Sequence, residues 1–139
     1  MKLQLITLTG LKMDDDVYEV IVPTTAGDIA VYPGHEPLVT VARAGVLAVR
    51  RKKTDVDAAR DFFAVNGGVV EIDTTSLRIL VDEADSSEEI VAAEAEKALA
   101  QAQKLKSEAK NQVELDKAQA MIDRSSVKLK VAGLRRHKR

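Results

Sequence analysis

Alternating apolar and polar positions in the first half of the chain predict a succession of short β-strands. Segment 2–8 sets Leu3 and Leu5 on one face against Gln4 and Ile6 on the other, and stops at Thr9-Gly10. Segment 17–22 follows and stops at Pro23, and 28–32 starts after the turn at Ala26-Gly27. Segment 38–42 runs to Ala44-Gly45, and 46–51 alternates Leu47 and Val49 with Ala48 and Arg50. Segments 62–65 and 69–72 flank Asn66-Gly67-Gly68, a hairpin signal because Asn and Gly tolerate positive φ. After a turn at Asp73-Thr74-Thr75, segment 77–81 closes the set. Eight such strands, with no helix-length pattern between them, predict an antiparallel β-sandwich or barrel.

The period then changes. Ser86 with Glu89 reads as a capping box, with Glu88 and Glu89 placed well for the positive end of a helix dipole. Val91, Ala95, Ala98, Ala102, Leu105 and Ala109 recur at spacings of four and three, a heptad-type seam. The pattern breaks at Asn111-Gln112 and resumes as Leu115, Ala118, Ile122, Ser125, Leu129 and Ala132, with Gly133 at its end. A connection of roughly four residues makes the pair an antiparallel hairpin. The first helix, about 25 residues, would be on the order of 37 Å long. Four of its six seam residues are Ala, each burying only a methyl-sized group worth roughly 0.8 kcal/mol. Such a hairpin is expected to separate or re-dock without unfolding, since Ala keeps each helix formed.

Composition sharpens the boundary. All three prolines, all four aromatic residues and six of the seven glycines precede residue 69. The reading is therefore a β-sandwich domain over 1–85 and a helical hairpin over 86–139. Residues 1–85 carry 9 Lys/Arg and 14 Asp/Glu, while 86–139 carry 12 and 8. The basic excess gathers at Arg124, Lys128, Lys130, Arg135, Arg136, Lys138 and Arg139, among which no acid falls. Such a block is either solvated or docks on an acidic face. The absence of cysteine excludes disulfides and thiolate chemistry. No apolar run is long enough to span a bilayer, and the first residues read as a strand and not as a targeting segment. A cytoplasmic, bacterial protein is the simplest reading.

Catalytic chemistry finds little support. There is no phosphate-binding glycine loop. Of the two histidines, His137 lies in the basic end and His35 between Pro33 and Pro37. A catalytic zinc needs three protein ligands, so His35 reads as a loop residue that bonds locally or across an interface. Asp14-Asp15-Asp16 lacks the glycine and distal Glu of a calcium loop and reads as a solvated turn. No catalytic residue, metal or cofactor is expected.

The stretch from Val22-Pro23 through Ala26-Gly27-Asp28-Ile29 to Tyr32-Pro33-Gly34-His35-Glu36-Pro37-Leu38 resembles the epsilon subunit of the F-type proton-translocating ATP synthase. Ala44-Gly45-Val46, Asn66-Gly67-Gly68-Val69-Val70-Glu71 and Val81-Asp82-Glu83-Ala84 match as well, and the resemblance spans the chain. It implies a ten-stranded β-sandwich with a C-terminal helical hairpin. It further implies a non-catalytic rotor subunit in the central stalk, which binds gamma and the c ring at the cytoplasmic face of the cell membrane. In many members the helices open toward the catalytic alpha and beta subunits and restrain ATP hydrolysis. Carried over position by position, Asp28 faces the c ring, and Gly34, His35, Pro37 and Leu38 lie at the gamma and c-ring contact. Arg124, Lys128, Lys130, Arg135 and Arg136 would form the regulatory end. ATP-binding members carry [IL]-D-x-x-R-A at the first helix. Here Val91 stands in place of the acid and Glu94 in place of the Arg, which implies weak or no ATP binding. The competing reading is a β-domain adaptor whose basic helix binds nucleic acid or another acidic partner; the lack of aromatics in the helices argues against it. An enzyme built on His35 lacks a second catalytic partner.

Overall fold

A computed structural model describes residues 1–134. Eight strands come first: β1 (Lys2–Thr7), β2 (Gly10–Asp16), β3 (Glu19–Thr24), β4 (Gly27–Val31), β5 (Leu38–Ala42), β6 (Gly45–Arg50), β7 (Asp61–Ile72) and β8 (Ser76–Ser86). A 3₁₀ turn, Asp57–Ala59, lies between β6 and β7, and two helices follow, α1 (Ala92–Ser107) and α2 (Gln112–Leu134). The expected β-sandwich followed by a helical hairpin is what the chain forms.

Hydrogen-bonded neighbours run β2-β1-β8-β7-β5-β3-β4, with β6 bridging β3 and β7. Every pairing is antiparallel except β1 with β8, where Lys2 aligns with Ser76 and Leu5 with Ile79. The inward residues follow the predicted alternation. Leu3, Leu5, Val20, Val22, Val31, Leu47, Val49, Val70, Leu77 and Ile79 are buried in one cluster. Full burial of each such side chain contributes roughly 1.5–3 kcal/mol.

Several sequence expectations are corrected. Asn66-Gly67-Gly68 is not a turn: β7 runs straight through it for 12 residues, and neither glycine has positive φ. Gly68 is needed for closeness. A Cβ there would lie 1.9 Å from the Leu80 carbonyl oxygen of β8. On its other edge β7 pairs first with β6, at 61–65, then with β5, at 68–72. The long strand β7 thus serves two neighbours on one edge, and the chain has eight continuous strands where the resemblance implies ten. Asp14-Asp15-Asp16, expected as a solvated turn, is the end of β2, a strand whose only buried residue is Met13. Its acids are paired with neighbours, Asp14 with Lys2 and Asp15 with Arg51. Pro23 does not end β3, because it sits opposite Asp28 and its carbonyl accepts the Arg43 amide at 3.1 Å.

The first helix is shorter than expected and begins later. Ser86 still aligns with Phe63 in the β7–β8 ladder, so the Ser86–Glu89 box caps a turn: the Ser86 hydroxyl donates to Glu89 Oε1 at 2.9 Å. α1 then starts at Ala92 with no side-chain cap and spans 16 residues. Asn111 caps α2, its Oδ1 accepting the Glu114 amide at 2.9 Å. The interhelical seam is buried at Ala95, Ala102, Ala118 and Ser125, whereas Ala98 and Leu105 are exposed. A second face of α2 carries more. Val131 and Ala132 pack with Ala64 and Ile90, flanked by Val46, Phe62, Ala92 and Val127. The hairpin is docked on the β6–β7 face of the sandwich.

Glu19 is 4% exposed. Arg60 Nη2 donates to it at 2.7 Å, Arg50 Nε at 3.2 Å, and the Tyr32 hydroxyl as well. Arg50 also holds Asp57 and the Asp55 carbonyl, which pins the 51–60 loop. Burial pushes the Glu19 carboxyl up, but the Tyr32, Arg60 and Arg50 donors outweigh it and hold it below the ordinary value. The stabilisation is therefore present above the unfolded Glu value, about 4.3, and is lost as pH falls through the lower folded value. Glu19→Gln should cost about 3 kcal/mol at neutral pH, and urea unfolding should show that difference shrinking on acidification. A pH-independent difference would exclude the charge as the cause.

Candidate interface

The loop after β4 is fixed at its root by the Tyr32–Glu19 bond. Gly34 takes φ +87°, a left-handed conformation that favours glycine, and its amide donates to the Thr74 carbonyl at 2.8 Å. The loop is thereby tied to the β7–β8 turn. His35 Nδ1 lies 2.6 Å from the Glu36 carbonyl, and the ring is half-buried. Among the described residues no cluster of His, Asp and Glu could hold a metal. Pro37 and Leu38 are exposed, Leu38 at 42%.

Leu38 opens β5, which carries a feature the sequence reading missed. Val39 is 71% exposed, Val41 52% and Val69 41%. Val41 lies opposite Val69 across the ladder, so these side chains share one outward face. On its other edge β5 pairs with β3 only at Thr24–Ala42, which leaves 38–40 without a ladder partner there. An apolar face beside an open strand edge is characteristic of a protein-docking surface. The signal was in the run Leu38-Val39-Thr40-Val41-Ala42, which has no charge on either face, although one face is inside and one outside.

Asp28 sits elsewhere. The β3–β4 turn is closed by the Thr24 hydroxyl donating to the Gly27 carbonyl at 2.6 Å. Asp28 accepts from Arg43 Nη2 at 3.2 Å, both side chains being about half exposed, a pair worth roughly 0–1 kcal/mol. Strands β4 and β5 both run between this turn and the His35 loop, a separation of about 13 Å by strand rise. The predicted contact residues are therefore two patches and not one: Gly34, His35, Pro37 and Leu38 at one end of β4, Asp28 at the other.

The cations expected at a regulatory end are also divided. Arg124 Nε lies 3.1 Å from Glu83, and Lys128 Nζ lies 2.6 Å from Glu83 and 3.4 Å from Asp85. Burial works against the Glu83 charge, but Lys128 and the neighbouring groups hold its carboxyl low. Burial and the adjacent Glu83 push Asp85 up. Lys130 is exposed. Arg135 and Arg136 lie outside the described residues.

Beside this contact a groove of 350 Å³ is lined by Asp85, Glu89, Val91, Glu94, Arg124 and Lys128, among others. Glu89 is bonded to Lys12 at 2.5 Å. Glu94, in the first turn of α1, is exposed. Three carboxylates therefore meet two cations that already have acidic partners.

Residues 1–87 match the family model described as ATP synthase, Delta/Epsilon chain, beta-sandwich domain. The ATP synthase epsilon chain of Chloroflexus aggregans is 33% identical over 137 residues, 99% of this chain and 95% of that protein. The ATP synthase epsilon chain of Moorella thermoacetica is 32% identical over 133 residues, 96% of each. Among solved structures, a chain of the Euglena gracilis mitochondrial ATP synthase (OSCP/F1/c-ring) superposes with a TM-score of 0.78 at 23% identity, covering 94% of this chain and 79% of that one. A chain of the Tetrahymena thermophila mitochondrial ATP synthase central stalk and c ring gives a TM-score of 0.66 at 17% identity, covering 94% of each. These two show a shared fold.

Proposed function

The chain belongs to the ATP synthase epsilon-chain family of non-catalytic subunits, and from that premise we propose that it is a rotor subunit whose sandwich clamps gamma and the c ring while its hairpin regulates ATP hydrolysis. The observation that carries the clamp is the apolar face of Val39, Val41 and Val69 beside the open edge of β5. Continuous with it is the rigid loop of Gly34, His35, Pro37 and Leu38. That surface is assigned to gamma. Asp28, at the far end of β4, is assigned to the c ring. Its carboxylate is accessible, and its Arg43 partner is exchangeable at an exposed position. Among the described residues no helix is long and apolar enough to cross a membrane, so attachment at the cytoplasmic face of the cell membrane would be through the complex.

The adaptor reading that places nucleic acid on the basic helix is weakened at two of its cations: Arg124 and Lys128 are engaged by carboxylates of the same chain. For the same reason the groove beside α1 offers a polyphosphate no unpaired cation, with Glu94 near its mouth repelling it. Weak or no ATP binding remains the expectation.

The test is co-purification of the tagged chain with a gamma subunit. Val39→Lys should weaken retention by about tenfold or more with an unfolding midpoint that does not fall, since the side chain is already in solvent and Glu71 lies opposite it across the ladder. Full retention by that variant would remove this face from the interface. His35→Ala should alter assembly or coupling in the complex while the chemistry of the catalytic subunits stays intact. Equal loss of all nucleotide chemistry would point instead to a direct chemical role.

A further inference from the structure

Period-two alternation should leave Glu19 in solvent. Val20 and Val22 point into the core, so Glu19 shares the opposite face of β3 with Ile21 and Pro23. It is nevertheless buried, because side chains from three separate segments close over it. Arg50 ends β6, Tyr32 follows β4, and Arg60 follows the 3₁₀ turn. The carboxylate oxygens are divided between them. Oε1 accepts from Arg50 at 3.2 Å and from Arg60 at 2.7 Å, and Oε2 accepts from the Tyr32 hydroxyl. Arg50 and Arg60 are only 14% and 17% exposed, and Tyr18 packs edge-on against Tyr32 with ring centroids 5.6 Å apart. Bonds to an ionised group are the strong class, and a carboxylate so enclosed has little water to replace a lost donor.

The two oxygens serve two loops. Through Oε1, Arg50 and Arg60 tie the carboxylate to Asp57, and Arg50 ties it also to the Asp55 carbonyl. Through Oε2, Tyr32 is held at the point where the Pro33–Leu38 loop departs, and the Tyr32 carbonyl accepts the His35 amide at 3.2 Å. We propose that the 51–60 loop positions the Pro33–Leu38 loop through Glu19, so that residues outside the apolar face set the shape of the loop beside it. Glu19 is the positioning residue, since it is enclosed by its own chain. Arg51, in the same loop, takes no part: it bonds Asp15 and Asp61 instead. The inference rests on the assignment of the Pro33–Leu38 loop to gamma.

Amide hydrogen exchange on the isolated full chain tests the link. Arg60→Met keeps a long side chain and removes one donor to Oε1. It should speed exchange at the Gly34 and His35 amides by about tenfold, although their own acceptors are the Thr74 and Tyr32 carbonyls. Reciprocally, Tyr32→Phe should speed exchange at the Ala59 and Arg60 amides, which bond the Val56 and Asp57 carbonyls. Two controls separate the link from a general loss of stability. Arg51→Met alters the same loop away from Glu19, and Ile79→Val weakens the core. Both should leave the Gly34 and His35 amides as they are. The proposal is overturned if Arg60→Met does not speed those two amides, if Tyr32→Phe does not speed the other pair, or if either control speeds Gly34 and His35 as much as Arg60→Met does. In co-purification with gamma, Arg60→Met should lower retention several-fold and Arg51→Met should not. Exchange is read without gamma. Raised exchange with full retention by both Arg60→Met and Val39→Lys would therefore defeat the interface reading alone.

Discussion

Deleting residues 92–139 should leave a chain that still retains gamma and should raise ATP hydrolysis by the assembled enzyme several-fold over the full-length chain. The cut is placed by the structure. All buried residues of the main core lie between Leu3 and Ala84, so the sandwich keeps its driving force. Ile90, which packs with Ala64, is retained and covers part of the surface that α2 leaves. A cut at Arg124 would remove Arg124, Lys128, Val131 and Ala132 together, but would leave α1 and a stump of α2 with their seam exposed. The shorter chain is the cleaner comparison. Steady-state ATPase assays of complexes rebuilt with each chain make the measurement. Unchanged hydrolysis would remove the inhibitory role of the hairpin. Lost gamma retention would mean that the hairpin is part of the clamp.

Gly68→Ala should destabilise the sandwich by about 3 kcal/mol, read as a shift of the urea midpoint at constant slope. The new methyl carbon would meet the Leu80 carbonyl oxygen at 1.9 Å, the Leu80 carbonyl carbon at 2.8 Å and the Val81 Cα at 2.8 Å. All three are backbone atoms of β8 in register with β7, so relief requires the two longest strands to part. Gly67 is the control. Nothing lies within 4 Å of its Cβ position and its φ is ordinary, so Gly67→Ala should be close to neutral. The contrast separates two explanations of the same sequence. A hairpin turn at Asn66-Gly67-Gly68 would make both substitutions costly through positive φ; a continuous strand in close approach makes only Gly68 costly.

That example also shows where the sequence was readable. Period-two alternation located β1, β5 and β6 to within a residue or two, because each has one face in the core. It failed on β2, whose six other residues face solvent beside Met13. It failed at Gly67-Gly68, where the same residue serves a turn and a tight backbone approach equally well. The helices were legible as a pair, but the capping box was assigned to the wrong event. A ladder partner for Ser86, Phe63, lies 23 positions upstream and leaves no trace in local spacing. The heptad reading found Ala118, Ser125 and Ala132 but not Val131, because it assumed a single partner where α2 has two. For the interface, the Pro33–Leu38 loop was legible as a motif. Its distance from Asp28 was not, since six positions in sequence become the length of a strand. The contact of Arg124 and Lys128 with Glu83 and Asp85 depends on long-range pairing that only the fold supplies.

The parallel pairing of β1 with β8 bears on how the chain is made. β1 finds β2 at once, but its second neighbour begins at Ser76. A nascent chain leaving the ribosome therefore carries an amino-terminal ribbon with one unsatisfied flank until nearly the whole sandwich has been synthesised. Closure of so distant a contact is slow relative to local helix formation. The helical segment follows β8, and the strands of its docking face, β6 paired with β7 over residues 45–65, have all been synthesised before it.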